Sequence, residues 1–181
     1  MELEEYVKLH LPTALNSIIQ SDRVHALPNL TIYEKAIIFA YTDARSKQHQ
    51  ILNEKLWSSQ GTEITEFGQF LEASLDKLEP YRDMVFRGVQ ESYYDIDRYI
   101  EAHENKTIIT EYHFLSASKL IAVAKGFGSI LFRIYGKNAK TIEKVSKFER
   151  EQEVLFKRNT SFKVIKVTDD GFYKIITLKE I

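Results

Sequence analysis

The sequence predicts an α+β fold, helices first and strands later. Two patterns carry this. Over the first 80 positions apolar residues recur at three- and four-residue intervals. After Pro80 they appear in short β-prone runs bounded by Gly, Asn and Asp. The 181 residues are 44% hydrophobic and 28% charged, with 7 Gly, 3 Pro and no Cys. That excludes collagen-like, low-complexity and thiol-dependent classes, and it is enough chain to bury a core unaided.

The elements follow in order. Tyr6 to Ile19 reads as helical, interrupted near Pro12. Asn29 to Thr31 supply capping side chains for a helix over Tyr33 to Tyr41. A further helix spans about 44–57 and is stopped by Ser58-Ser59-Gln60-Gly61; another runs from about 63 to 78 and ends at Pro80. Strands are expected at 84–89, 107–109, 112–115, 129–135, 153–156, 162–167 and 172–178, the last two forming a hairpin around Asp169-Asp170-Gly171. The chain reads as one domain, a helical lobe over 1–80 and a β core over 81–181.

The net charge of −1 hides an asymmetry: residues 1–118 hold 11 Lys and Arg against 19 Asp and Glu, residues 119–181 hold 14 against 7. A basic C-terminal part suits an anionic ligand, a dinucleotide or a nucleic acid; a dipolar surface without a role is the alternative. No apolar run approaches the roughly 18 residues of a membrane span. The acidic start, Met1 to Glu5, shows no signal peptide, so action in a cytoplasm is expected, with the delivery route open.

Three segments carry side chains that chemistry needs. Val85-Phe86-Arg87-Gly88-Val89 places an arginine inside an apolar strand, which is costly without a partner. Its planar fork suits a diphosphate, and the adjacent glycine lets a ligand approach the backbone. An edge arginine paired with a carboxylate gives the same pattern. In Phe114-Leu115-Ser116-Ala117-Ser118, alternation puts both hydroxyls on one face, where they can orient a carboxylate or bond a ribose. A strand ending in a serine turn reads the same way. In the run from Phe148 to Phe156, Glu151 and Glu153 stand two apart at the mouth of a strand and should share a face. Carboxylates that close repel, which raises one pKa, and such a pair suits cleavage at an anomeric carbon. A solvated Glu-rich turn is the alternative. The five His are scattered, with no metal-ligand spacing.

Together, in this order and with these flanks, the segments resemble the mono-ADP-ribosyltransferases of the Arg–Ser–Glu type, above all the bacterial toxin branch with its actin-modifying binary-toxin components. The resemblance covers about residues 82–181. It is most specific in Phe114 to Ser118 followed by Gly126-Phe127-Gly128, and in Ser146 to Phe156 followed by Asn159 to Val164. In the helical part Tyr41-Thr42 and Asn53 are similar to a family helix carrying a Tyr-Thr pair and a later Asn, at a longer spacing.

The resemblance implies helices packed on a two-sheet β core, NAD as co-substrate and no metal. By it, Arg87 would hold the NAD phosphates and the Gly88 backbone the nicotinamide amide. Ser116 would position the catalytic carboxylate, Ser118 support the strand ends, and Phe127 pack on the nicotinamide side. Glu153 would be the catalytic glutamate, bonding a ribose hydroxyl and stabilising the oxocarbenium ion. Glu151, the upstream member of the Glu-x-Glu pair, goes with arginine as acceptor, and Phe148 stands where the substrate-recognition loop carries an aromatic. Two departures are Ala117, in the middle of the usual Ser-Thr-Ser, and the absence of an Arg after Phe127, which would leave phosphate binding to Arg87 or a lysine such as Lys125. The implied function is transfer of ADP-ribose to a protein arginine by a toxin or effector acting without a membrane. The other acceptor in view is a nucleic-acid base, and such an enzyme would call for an antitoxin or immunity partner.

Overall fold

The computed structural model describes residues 1–93 and 95–181. The chain forms two compact units, one of Met1–Glu79 with Ile142–Arg150, the other of Pro80–Thr141 with Glu151–Ile181. The short return of 142–150 to the helical unit differs from the expected break at residue 80. Ile142, Val145 and Ser146 are wholly buried, and side chains of the helical unit hold the backbone that follows.

In the helical unit, α1 (Leu3–His10) and α2 (Pro12–Ile19) are separated at Pro12, which takes the first position of α2 where its missing N–H costs nothing. Next come a single 3-10 turn at Asp22–Val24 and α3 (Ile32–Thr42). Thr31 and Glu34 close a reciprocal capping box on α3. From Glu34 to Tyr41 α3 is buried on every side, packed against α1, α2 and α5. Its two buried charges are partnered: Glu34 with Lys77 at 2.7 Å, and Lys35, whose Nζ donates to the Val24 carbonyl at 2.7 Å. A second 3-10 turn (Ala44–Ser46) leads to α4 (Gln48–Ser58), and α5 (Glu66–Asp76) is capped by Thr65.

The second unit begins with β1 (Pro80–Tyr81), β2 (Met84–Val89), α6 (Asp97–Asn105), β3 (Ile108–Glu111), β4 (Leu115–Ser118) and α7 (Ile121–Lys125). It continues with β5 (Ile130–Tyr135), β6 (Ala139–Thr141), β7 (Glu153–Phe156), β8 (Thr160–Asp169) and β9 (Lys174–Glu180). Among the described residues nine strands form one hydrogen-bonded ladder, in the order β1-β6-β7-β4-β2-β5-β9-β8-β3. The two-sheet expectation keeps a local basis. β4 pairs with β7 over four residues and β2 with β5 over six, yet β2 and β4 share one register pair, Phe86 with Ser118. The ladder therefore nearly parts one residue before Arg87. The β8–β9 hairpin forms as predicted, its turn fastened by Asp170 Oδ1, which accepts the N–H groups of Phe172 and Tyr173. β9 then adds parallel to β5. The core of this unit gathers Val85, Tyr99, Leu115, Ala117, Phe132, Val154, Phe156 and Phe162 among others.

Candidate active site

Where β2 and β4 part, three of the sequence-selected residues are joined by hydrogen bonds. Arg87 Nη1 donates to the Ser116 carbonyl at 2.8 Å, and the Ser116 hydroxyl donates to Glu153 Oε1 at 2.6 Å. One serine therefore joins the guanidinium of β2 to the first residue of β7. Ser118 donates its hydroxyl to the Glu151 carbonyl at 2.6 Å and accepts the Leu120 N–H at 2.9 Å. Glu153 is buried but for 7% of its surface, whereas Ser116 and Arg87 are half-buried. A carboxylate so withdrawn needs donors, and the serine supplies one. Ala117, between the two serines, faces the apolar core, as alternation requires.

The two carboxylates are not arranged as simple strand alternation predicts. Glu151 ends a 3-10 turn (Glu149–Glu151), Gln152 takes a left-handed backbone at φ +45°, and the strand begins only at Glu153. A non-glycine residue there carries strain of about 1 kcal/mol. It is held by β4: the Lys119 N–H donates to the Gln152 carbonyl at 3.1 Å, beside the Ser118 bond to Glu151. The bond to Gln152 comes from the Lys119 backbone, which leaves no residue-type signal. Burial raises the Glu151 pKa above the ordinary carboxylate range. The direction is the predicted one, but the cause is desolvation rather than the neighbouring charge.

Gly88 has a packing reason besides the expected ligand approach. A Cβ there would stand 1.7 Å from the Ala124 carbonyl oxygen, so the glycine is required by the approach of α7 to β2. The same hypothetical atom lies 3.3 Å from Phe127 Cβ, which brings Phe127 beside Gly88 just past the end of α7, its surface half exposed. Gly128 repeats the requirement, its Cβ position lying 2.2 Å from the Val89 carbonyl oxygen. Lys125 lies with Nζ over the Tyr173 ring, 5.0 Å from its centroid. Phe148 belongs to the helical unit and is 51% exposed. Asn53 Nδ2 donates to the Tyr41 hydroxyl at 3.1 Å, so the Tyr41–Asn53 pair fastens α4 to α3.

The unit that carries Arg87, Ser116 and Glu153 also holds a polar cluster that the sequence reading missed. Glu111 is wholly buried and accepts on Oε1 from both Arg98 and the Tyr99 hydroxyl, with His113 Nδ1 3.5 Å from Oε2. Its members are spread over α6, β3 and the following loop at no motif spacing. Among the described residues no three His, Asp or Glu side chains gather as a metal ion would need, and no helix is long and apolar enough to cross a membrane.

A mixed sheet that nearly parts beside an arginine, with a buried glutamate held by a serine, is the arrangement expected of an ADP-ribosyltransferase. The chain belongs to the NAD:arginine ADP-ribosyltransferase family, whose model matches residues 23–181. Its fold is similar to that of the ADP-ribosyltransferase HopU1 of Pseudomonas syringae pv. Tomato DC3000, with TM-score 0.79 and 17% identity over 93% of this chain and 86% of that one. It is also similar to Exoenzyme S from Pseudomonas aeruginosa, solved with human 14-3-3 protein beta and Carba-NAD (TM-score 0.65, 19% identity, 93% and 88% covered). A third relative is the Vis ADP-ribosyltransferase of Vibrio splendidus in complex with agmatine (TM-score 0.64, 21% identity, 100% and 86% covered). No curated protein sequence matches at a significant level.

Proposed function

We propose that this ADP-ribosyltransferase moves ADP-ribose from NAD to an arginine of a target protein, releasing nicotinamide, and serves as a toxin or effector. The observation that carries the reading is the chain Arg87–Ser116–Glu153, with Glu151 two residues ahead of Glu153. The bond from the nicotinamide nitrogen to ribose C1′ joins a good leaving group to a carbon that tolerates positive charge. The protein has to hold the diphosphate, place a fixed negative charge beside C1′ and keep water out of line. Arg87 holds the phosphates, and Glu153, oriented by Ser116, faces the developing cation. As the C–N bond breaks its electron pair leaves with nicotinamide. A guanidinium nitrogen of the acceptor bonds to C1′ and loses its proton to Glu151. Phe127, exposed beside Gly88, offers an apolar wall to the nicotinamide, and Phe148 offers one to the acceptor. Agmatine, the ligand seen in the Vis structure, is itself a guanidine, and the protein partner in the Exoenzyme S structure is consistent with enzymes of this fold that engage proteins.

The test is direct. Purified protein with NAD and agmatine should release nicotinamide and add one ADP-ribose to agmatine, read by mass spectrometry. Glu153→Gln should abolish both products, and intact transfer by that variant would falsify the assignment. With labelled NAD and a cell lysate the label should be released by protease; label released by nuclease alone would overturn the protein acceptor.

A further inference from the structure

Ser146 and Lys147 are held at three backbone groups by side chains of the helical unit. Arg23, on the 3-10 turn after α2, donates Nε to the Ser146 carbonyl at 3.1 Å and Nη2 to the Lys147 carbonyl at 3.4 Å. Thr42, the last residue of α3, accepts the Lys147 N–H on Oγ1 at 2.8 Å. Phe39, one turn earlier on α3, forms a floor for two cations: the Arg23 guanidinium 5.4 Å and the Lys147 ammonium 5.2 Å from its ring centroid. Lys147 Nζ also stands 3.7 Å from Asp43, whose carboxyl is held below its ordinary range, first by Arg45 and further by Lys147. The wholly buried Ser146 accepts the Phe148 N–H on Oγ at 3.3 Å.

This is more attachment than an ordinary surface loop has. With both its N–H and its carbonyl fixed, Lys147 sets the direction in which the next residue leaves. That residue is Phe148, an aromatic 51% exposed. Only four residues, about 14 Å of fully extended chain, lead from Lys147 to Glu151. By chain length alone, Phe148 therefore stays within about 11 Å of Glu151. By contrast, the bonds Arg87–Ser116–Glu153 close entirely within the other unit and use none of these residues.

We propose that Arg23 and Thr42 are positioning residues for the acceptor: by clamping Ser146–Lys147 they present Phe148 so that an arginine-bearing substrate outcompetes water. The proposal rests on the transferase reading above. It predicts a division of labour in which loosening the clamp harms transfer and spares NAD hydrolysis.

The experiment uses the full chain and three readouts: nicotinamide release without acceptor, transfer to agmatine, and transfer to an arginine-rich protein. Thr42→Val keeps the side-chain shape and removes the acceptor oxygen, and Arg23→Gln removes the fork. Each should raise KM for the protein acceptor roughly fivefold, the effect of one ordinary hydrogen bond, with hydrolysis within twofold of the parent. Thr42→Ser, which restores the oxygen, should recover the parent ratio of transfer to hydrolysis. An unchanged ratio in both variants, or an equal loss of both activities with Thr42→Ser no better than Thr42→Val, would overturn the proposal. A parent protein that releases no nicotinamide under any condition would instead bring down the transferase reading on which it stands.

Discussion

Ser116 donates its hydroxyl to Glu153 at 2.6 Å although the two residues do not face each other in the ladder. Ser116 stands opposite Leu155, and Glu153 stands opposite Ser118. The bond is thus diagonal across β4 and β7, and it turns the carboxylate along β4 toward the residue whose carbonyl carries Arg87. Ser116→Ala should therefore lower the rate of nicotinamide release at saturating NAD by about tenfold or more, the effect of losing a hydrogen bond to a charged group. KM for NAD should change little, because the carbonyl that serves Arg87 remains, whereas the melting temperature should fall, because the buried Glu153 loses a donor. Ser118→Ala loosens Glu151 instead, and should cost transfer more than hydrolysis. Steady-state kinetics of the two variants in parallel distinguishes these effects; identical profiles would show that the serines have no separate tasks.

The pKa of Glu151 gives a pH signature. Burial raises it, so the carboxylate becomes protonated at a higher pH than an ordinary glutamate as solution is acidified. A base must be ionised to take the acceptor's proton. Transfer to agmatine should therefore show an acid limb at a higher pH than an ordinary glutamate base would give, a limb that NAD hydrolysis, which does not use Glu151, lacks. Glu151→Gln should lose transfer at every pH and leave the pH profile of hydrolysis where it was. Rate profiles from pH 4 to 8 with and without agmatine check this, and coincident acid limbs would remove Glu151 from the role of base.

Gly88 is constrained by backbone rather than by a movable side chain. An added Cβ would stand 1.7 Å from the Ala124 carbonyl oxygen, so α7 would have to move off β2. Gly88→Ala should cost about 1–3 kcal/mol by overpacking and displace Phe127, two residues past the end of α7. Denaturant titration should show the loss in stability, and KM for NAD should rise with it. Gly171→Ala, at an open turn with φ +86° and nothing within 4 Å, isolates the conformational cost of losing a glycine from the packing cost. A melting curve for Gly88→Ala no lower than that of Gly171→Ala would show that α7 yields without penalty.

Much of this was readable from residue pattern, and the exceptions have physical causes. α3 announced itself through the capping side chains at Asn29 to Thr31 and its apolar spacing, and β7 starts and ends where predicted, at Glu153 and Phe156. β1 and β6 are two and three residues long, too short for alternation to show. α6 was missed because its apolar face is narrow, made by Ile96, Tyr99, Ile100 and Ala102 amid otherwise charged and polar residues. The strand expected at 112–115 begins only at Leu115, because Tyr112 to Phe114 form the bend after β3 that carries His113. In the candidate site, Arg87, Ser116, Ser118, Glu151 and Glu153 were selected by residue type and order, and the structure links them through Arg87–Ser116–Glu153 and Ser118–Glu151 hydrogen bonds. The left-handed Gln152 and the Lys119 amide that holds it were hidden, since a backbone conformation held by backbone bonds leaves no compositional mark.

The buried cluster around Glu111 should make the fold acid-sensitive in a defined window. Burial is the main reason the His113 pKa falls to about 4; Glu111 opposes the shift, and Arg87 and Arg98 reinforce it. The folded protein thus keeps His113 neutral down to about pH 4, whereas the unfolded chain protonates it near 6.5. The contribution to stability is whole above pH 6.5. As pH falls from there toward 4 the unfolded state binds a proton that the folded state refuses, and about 3 kcal/mol is lost, with no further loss below. Denaturant midpoints at pH 7, 5.5 and 4.5 should show this decline in the parent, superposed on carboxylate titration common to all variants. His113→Asn, which does not titrate, should decline less steeply over the same interval. Parallel slopes for the two proteins would mean that His113 is protonated in the fold and forms an ion pair with Glu111, 3.5 Å away. In that case acid should strengthen that contact, and Glu111→Gln should become more damaging at pH 5.5 than at pH 7.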